Sequence, residues 1–422
     1  MSNFDTSPVE DFVVGEHDQD TLVAIGRRTM SKNFRQQPLV AVKGEGMYIW
    51  DRAGKRYIDF IGGIAVNGLG HSHPRLIEAG TRQLAQLWHV SNLYFNEPQI
   101  LLSEQLSQAF GDGRVYLCNS GAEANEAALK FARRYGSVTK GEPQRTNFIT
   151  FEKSFHGRTM FALSATAQPK YHKGFEPVVP GFRYAKYNDI DSVKAVMDDT
   201  VCGVLTEPIQ AEGGIIMPNA GFLADLRQLT VDNGALLLLD EVQCGIGRTG
   251  TLFAFEQEGI KPDVVTLAKA LGGGLPIGAM ISSEAVADAF QPGSHGSTFA
   301  GNAVASRVAL EVLKVIEEDG LLSHVQKAGA YFMQGLERLS KKYEFVDGPR
   351  GRGFIVGLGF HKAYAPEAML RSMKRGLLVN KLNPLTLRFL PPLIAEHSHI
   401  DAALDILTDV FDDLKRNPPE TE

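Results

Sequence analysis

Cysteine is scarce: three residues in 422, at positions 118, 202 and 244. That spacing supplies neither a disulfide framework nor a zinc site, so a reducing compartment, the cytoplasm, is expected. Basic charge is not in excess either. Lys and Arg total 43 against 49 Asp and Glu, a net charge of -6. Without a run of basic residues there is no surface for a polyanion, and nucleic-acid binding is excluded. No apolar stretch is long enough to span a membrane, and residues 1–20 are polar and acidic rather than basic-then-apolar like a signal peptide. Repeats and low-complexity tracts are missing, and His71 and His73 of GHSHP have no further ligand cluster, so they read as turn residues and no metal is expected.

What remains is an ordinary globular composition, 44% hydrophobic and 22% charged, long enough for two interlocked α/β units. Residues 1–20 read as a flexible tail. MYIWDRAGKRYIDF (47–60) reads as a hairpin turning at Ala53-Gly54. Short apolar runs then recur at 115–118, 147–151, 203–206, 235–240 and 264–268, alternating with helical stretches such as 122–135 and 220–233. That alternation predicts a mostly parallel sheet covered on both faces. Ile400, Leu404, Leu407, Phe411 and Leu414 fall at helical spacing, so 399–415 is an amphipathic helix of a smaller C-terminal unit.

Ligands of an open α/β sheet bind beyond the carboxyl ends of its strands, so the residues there matter most. After VYLC comes Asn119-Ser120-Gly121-Ala122 and then a helix. Ser120 is a good N-cap, Gly121 permits close approach, and the unpaired N–H groups of the first turn suit a phosphate. After ALLLL comes Asp240, which either caps a turn or keeps a heterocyclic nitrogen protonated. After VVTLA comes Lys269, followed by three glycines within five residues. A flexible amine in such a setting suits imine chemistry. Each feature alone is more often structural. Taken in order, phosphate cradle, acid and lysine describe a pyridoxal-phosphate (PLP) site. One competing motif, Gly245-Ile-Gly247-Arg-Thr-Gly250, matches a dinucleotide fingerprint, but residues 240–244 separate it from its strand and TLFAFE starts no convincing helix. It reads as a glycine-rich loop.

With these residues in place, the chain resembles the class III (subgroup II) aminotransferases from about Gly44 to Leu414, through YIDFIGGIAVNGLGHSHP, NSGAEANEAALKFARRY, SFHGRT, EPIQAEGG, LLLLDEVQCGIGRTG, LAKALGGGLPIGAM, HGSTFAGN and LRFLPP. The resemblance implies PLP-dependent transferase fold type I: a large domain with a mostly parallel central sheet plus a smaller α+β domain built from both termini. The corresponding division is 1–20 tail, 21–75 N-terminal part of the small domain, 76–318 large PLP-binding domain and 319–422 C-terminal small domain. It implies that Lys269 forms the Schiff base and shuttles the proton, that Asp240 meets the pyridine nitrogen, and that Gln243 lies near the phenolic oxygen. Phe155 would stack on the ring, and Ser120, Gly121 and Ala122 would hold the phosphate with Thr298 of a partner subunit, making the protein a homodimer. Arg388 would grip a substrate α-carboxylate, Glu212 would pair with that arginine in one half-reaction and release it in the other, Arg158 would assist with carboxylates, and Glu207 would lie behind them.

Within the class, LWHVSNLY, GGIAVN and KALGGGLPIGAM are similar to the acetylornithine branch. That implies transfer of the terminal amine of N2-acetylornithine to 2-oxoglutarate, giving N-acetylglutamate 5-semialdehyde and glutamate, in arginine and conceivably lysine biosynthesis. Gly63-Ile64 stands where ornithine-specific members carry an aromatic, whereas Ala211 and Cys244 depart from the usual glycine and threonine. The alternatives are other ω-amine donors (succinylornithine, succinyl-diaminopimelate, ornithine, 4-aminobutyrate), a decarboxylase or aminomutase on the same fold, a nicotinamide dehydrogenase using the glycine loop, and a non-catalytic binding protein.

Overall fold

Hydrophobic runs too continuous to face water set the architecture. A computed structural model describes residues 15–419. The first 14 residues of the expected tail lie outside that range, and within its remainder a helix, Gln19–Thr29, already begins. The strands are β1 (Ala41–Glu45), β2 (Tyr48–Asp51), β3 (Arg56–Asp59), β4 (Gly113–Cys118), β5 (Asn147–Phe151), β6 (Phe182–Ala185), β7 (Val201–Thr206), β8 (Leu236–Asp240), β9 (Val264–Leu267), β10 (Gly278–Ser283), β11 (Val346–Arg352), β12 (Ile355–Phe360), β13 (Leu377–Leu378), β14 (Asn380–Asn383) and β15 (Thr386–Phe389). The five apolar runs of the central region became β4, β5, β7, β8 and β9, and the hairpin became β2 and β3, paired antiparallel.

The central sheet has seven strands in the order β4-β10-β9-β8-β7-β5-β6. Five of them, β9 to β6, pair in parallel, while β10 runs antiparallel to both of its neighbours. Leu237, Leu238 and Leu239 are wholly buried because helices cover both faces of the sheet. One of these is Gly121–Arg134, which buries Ala124, Ala127, Ala128 and Ala132 together with the larger Leu129 and Phe131. Since β4, β8 and β9 point the same way, the residues following Cys118, Asp240 and Leu267 all emerge at one edge.

A second sheet runs β1-β2-β3-β13, joining early and late parts of the chain through the parallel β3–β13 pair. A third, antiparallel, has the order β11-β12-β15-β14. The helix His397–Arg416 buries Ile400, Leu404, Leu407, Phe411 and Leu414, the stripe read from the sequence. The glycine loop 245–250 leads only into a short 3-10 turn, Ala254–Glu258, not the helix a dinucleotide fingerprint requires. His71 is more than a turn residue: its Nε2 lies 2.8 Å from Asp59 Oδ2.

Candidate active site

Asp240 ends β8 and sits directly opposite Thr266 of β9, three residues before Lys269. Its carboxylate is 4% exposed and held by three contacts, with one acceptor position left on Oδ1. Oδ2 accepts from Asn125 Nδ2 at 2.7 Å and pairs with His156 Nδ1 at 2.8 Å, while Oδ1 accepts from the Val242 amide at 3.0 Å. Asn125 also donates to the His156 carbonyl at 2.7 Å and accepts from the Thr266 hydroxyl at 2.7 Å. Asn125, His156 and Thr266 were not singled out from the sequence. Asn125 left one signal, an amide on the buried face of an alanine-rich helix.

Lys269 follows β9 with φ of +48°. For a residue with a side chain this left-handed backbone costs roughly 1–3 kcal/mol, and such strain concentrates at functional positions. Its Nζ has no hydrogen-bond partner among the described residues. Burial lowers its pKa, with the nearby Arg388 charge in the same direction, against the opposing pull of the Glu212 and Asp240 carboxylates. Lowering favours the neutral amine, the nucleophilic form.

At the end of β4, Ser120 caps the helix Gly121–Arg134: its hydroxyl accepts from the Glu123 amide at 3.2 Å. The Gly121 and Ala122 amides belong to the first turn and have no carbonyl behind them, an anion-binding arrangement. Glycine is required at 121, where a Cβ would approach Val242 Cγ1 to 2.6 Å. At Gly157 (φ +138°) a Cβ would come within 2.9 Å of the Ala122 methyl. The helix start therefore packs against both the loop after Asp240 and the loop carrying Phe155. Phe155 is half-buried, and its amide donates to Glu207 Oε1 at 3.0 Å. Thr298 is exposed; its neighbour Ser297 accepts from Asn119 Nδ2 at 3.0 Å.

Arg388 lies in β15, 2% exposed, and donates to Glu212 Oε1, to Gln243 Oε1 at 2.9 Å and to Asn380 Oδ1 at 2.9 Å. Burial pushes the Glu212 carboxyl up, but the charge and hydrogen bond of Arg388, with help from Lys269 and Gln243, bring it below the ordinary range. Gln243 thus stands between Glu212 and Arg388. Glu207 is buried; burial raises its pKa, against the opposing pull of His156, and it accepts from the Phe155 and Ala211 amides. Arg158 is exposed, its guanidinium 4.0 Å above the Tyr171 ring, so it is stacked rather than hydrogen-bonded to this group.

The crevice therefore holds an anion-binding helix start cleared of Cβ atoms, an immobilised carboxylate, an unpartnered lysine and a buried arginine. These features fit PLP, whose phosphate would lie at 120–122, ring nitrogen at Asp240 and aldehyde carbon at Lys269. No group of His, Cys, Asp and Glu among the described residues is arranged to hold a metal.

The family described as aminotransferase class-III matches residues 29–411, and the chain belongs to it. It is a PLP-dependent aminotransferase with the PLP-transferase fold of that class. An acetylornithine aminotransferase from Caldanaerobacter subterraneus subsp. tengcongensis is 46% identical over 394 residues, 93% of this chain and 100% of that protein. Among solved structures, the ornithine aminotransferase of Toxoplasma gondii is 32% identical with a TM-score of 0.92, covering 95% of this chain and 96% of that one. The N-acetylornithine aminotransferase of Stenotrophomonas maltophilia is 34% identical with a TM-score of 0.80, over 93% and 99%.

Proposed function

We propose that the enzyme transfers the terminal amine of N2-acetylornithine to 2-oxoglutarate. The observation that carries this reading is the buried Arg388 held by Glu212. An arginine whose charge is already matched by Glu212 tolerates a donor whose reacting carbon bears no carboxylate, as the terminal carbon of N2-acetylornithine does. Once Glu212 turns away, the same guanidinium forks onto the α-carboxylate of glutamate, a geometry lysine cannot copy. The similarity to acetylornithine aminotransferases and the lack of an aromatic ring before Ala65 support the acyl preference over free ornithine.

Bound in the crevice, PLP supplies an electron-withdrawing ring that stabilises negative charge on the substrate carbon. Asp240, pinned by three donors, holds a proton on the ring nitrogen. Lys269 Nζ, its pKa lowered by burial, would hold the coenzyme and supply the base that takes the proton from the substrate carbon. Phe155 would cover one face of the ring, and Gln243, which accepts from Arg388 at 2.9 Å, would lie beside the phenolic oxygen.

We also read the chain as a homodimer in which Thr298 reaches the partner's phosphate site. Trp88, Leu93, Tyr94, Phe95 and Phe299 are 64%, 81%, 72%, 91% and 60% exposed, far more apolar surface than a monomer ordinarily shows. Asn302 Nδ2 bonds the Trp88 carbonyl at 2.9 Å, which ties this patch to the Thr298 loop. Residues 21–75 with 319–422 form the small domain in this reading, 76–318 the large one, and the site is cytoplasmic. No described helix is long and apolar enough to cross a membrane.

The test compares kcat/KM for N2-acetylornithine, succinylornithine, succinyl-diaminopimelate, ornithine and 4-aminobutyrate with 2-oxoglutarate as acceptor. A preference for N2-acetylornithine supports the reading. Preference for ornithine or 4-aminobutyrate replaces the donor, and no glutamate from any of them removes transamination of ω-amines.

A further inference from the structure

Arg350 stands half-buried in β11. Across the third sheet the register places Arg350 opposite Gly357, Gly357 opposite Arg388, and Arg388 opposite Asn380. Directly opposed residues share a face of the sheet, so two arginines flank a glycine. Ile215 fills the space above that glycine: a Cβ on Gly357 would lie 3.1 Å from Ile215 Cγ1. The turn carrying Glu212 therefore lies across this row and is held at both ends. Arg388 takes the Glu212 carboxylate, and Arg350 Nε donates to the Gly214 carbonyl at 2.6 Å while Nη2 donates to Thr386 Oγ1 at 2.9 Å.

The rest of the turn is equally tied. Gln210 and Ile216 exchange backbone hydrogen bonds of 3.1 and 2.9 Å, and the Ala211 amide donates to Glu207 Oε2 at 3.0 Å. Gly213 is close enough to the Lys153 carbonyl that a Cβ would sit 3.0 Å from it. Gly214 at φ +123° and Ile215 at φ +56° are the left-handed positions where this turn would give way. Arg350 holds the first of them.

We propose that Arg350 is a positioning residue for the Glu212 gate, locking the backbone at Gly214 so that only the Glu212 side chain moves when a carboxylate-bearing substrate claims Arg388. This rests on the reading that Glu212 yields Arg388 between half-reactions. Arg350 then sets the balance between amine and α-amino-acid substrates without touching either.

The experiment follows the two half-reactions separately in the holoenzyme, by the coenzyme's absorbance, with N2-acetylornithine and with glutamate. In Arg350→Met the turn is released, and kcat/KM for N2-acetylornithine falls roughly tenfold more than for glutamate, the scale of one charge-assisted hydrogen bond. Arg350→Lys, which keeps a charged donor, recovers part of that ratio. Glu212→Gln shifts the ratio the same way, and adding Arg350→Met to it changes the ratio no further, because both act through one gate. Equal losses in both half-reactions for Arg350→Met and Arg350→Lys, with Glu212→Gln still shifting the ratio, would overturn the role of Arg350 alone. A ratio that Glu212→Gln leaves unmoved would overturn the gate itself and this proposal with it.

Discussion

Asp240 and Glu212 are carboxylates of the same crevice, and the fold treats them in opposite ways. Asp240 is 4% exposed and receives Asn125, His156 and the Val242 amide, with Thr266 holding Asn125 in turn. Glu212 keeps 24% of its side-chain surface, rides on a two-glycine turn and rests on one arginine. A hydrogen-bonded network buried in low dielectric costs no reorganisation when charge develops beside it. The Glu212–Arg388 pair, buried on the arginine side, is exchangeable only for an equivalent pair, because an incoming substrate carboxylate can take the place of the one that leaves. In the proposed reading the strand ends of the central sheet carry the chemistry, while the Glu212 turn after β7, paired with Arg388 of the third sheet, carries the choice of substrate.

The contrast breaks first at Lys269. Lys269→Ala should lose the visible absorbance of lysine-bound coenzyme and slow turnover by several orders of magnitude in both half-reactions; retained activity would remove Lys269 from the chemistry. Asp240→Asn should come next, slowing both half-reactions alike by roughly a hundredfold or more, the scale of one preorganised electrostatic contact in a dry site. Unequal effects would mean that the rigid side also discriminates between substrates. Arg388→Ala should cost the glutamate half-reaction about 10- to 100-fold more than the acetylornithine half, from the lost bidentate contact. Equal losses would erase the division between the two regions.

The smallest expected effect concerns Glu241, which lies on the rigid side. It is buried against the Ala254 and Phe255 amides, at 2.7 and 2.8 Å, and burial pushes its pKa from 4.5 up to about 8. The folded chain keeps a proton there that the unfolded chain releases. Its contribution to stability therefore declines as pH rises from 4.5 toward about 8, then stays level. Glu241→Gln should flatten that part of the melting temperature against pH profile. An unchanged slope would assign the decline to other groups.

Much of this was legible in the sequence because the relevant signals are local. Asn119-Ser120, Asp240 and Lys269 stand at the ends of apolar runs, so the residues that the structure brings to one edge of the sheet were readable without knowledge of strand order. The helix Gly121–Arg134 announced itself by its cap and its alanines. The sheet's antiparallel member, β10, did not, since Gly278–Ser283, with its glycine and two serines, shows no continuous apolar run and strand direction leaves no trace in composition. The Asp240 network was equally hidden. Its contacts span 115 residues to Asn125 and 84 to His156, and nothing in either local stretch names the partner. Arg350 became meaningful only through the register that sets it beside Gly357 and Arg388.

The claim under all of this is that the coenzyme is covalently held by the lysine after β9. Reducing the holoenzyme with borohydride fixes that link, and peptide mapping by mass then reads which residue carries the pyridoxyl group. The account predicts a single modified peptide with the label on Lys269; a label on any other lysine, or none at all, would contradict it.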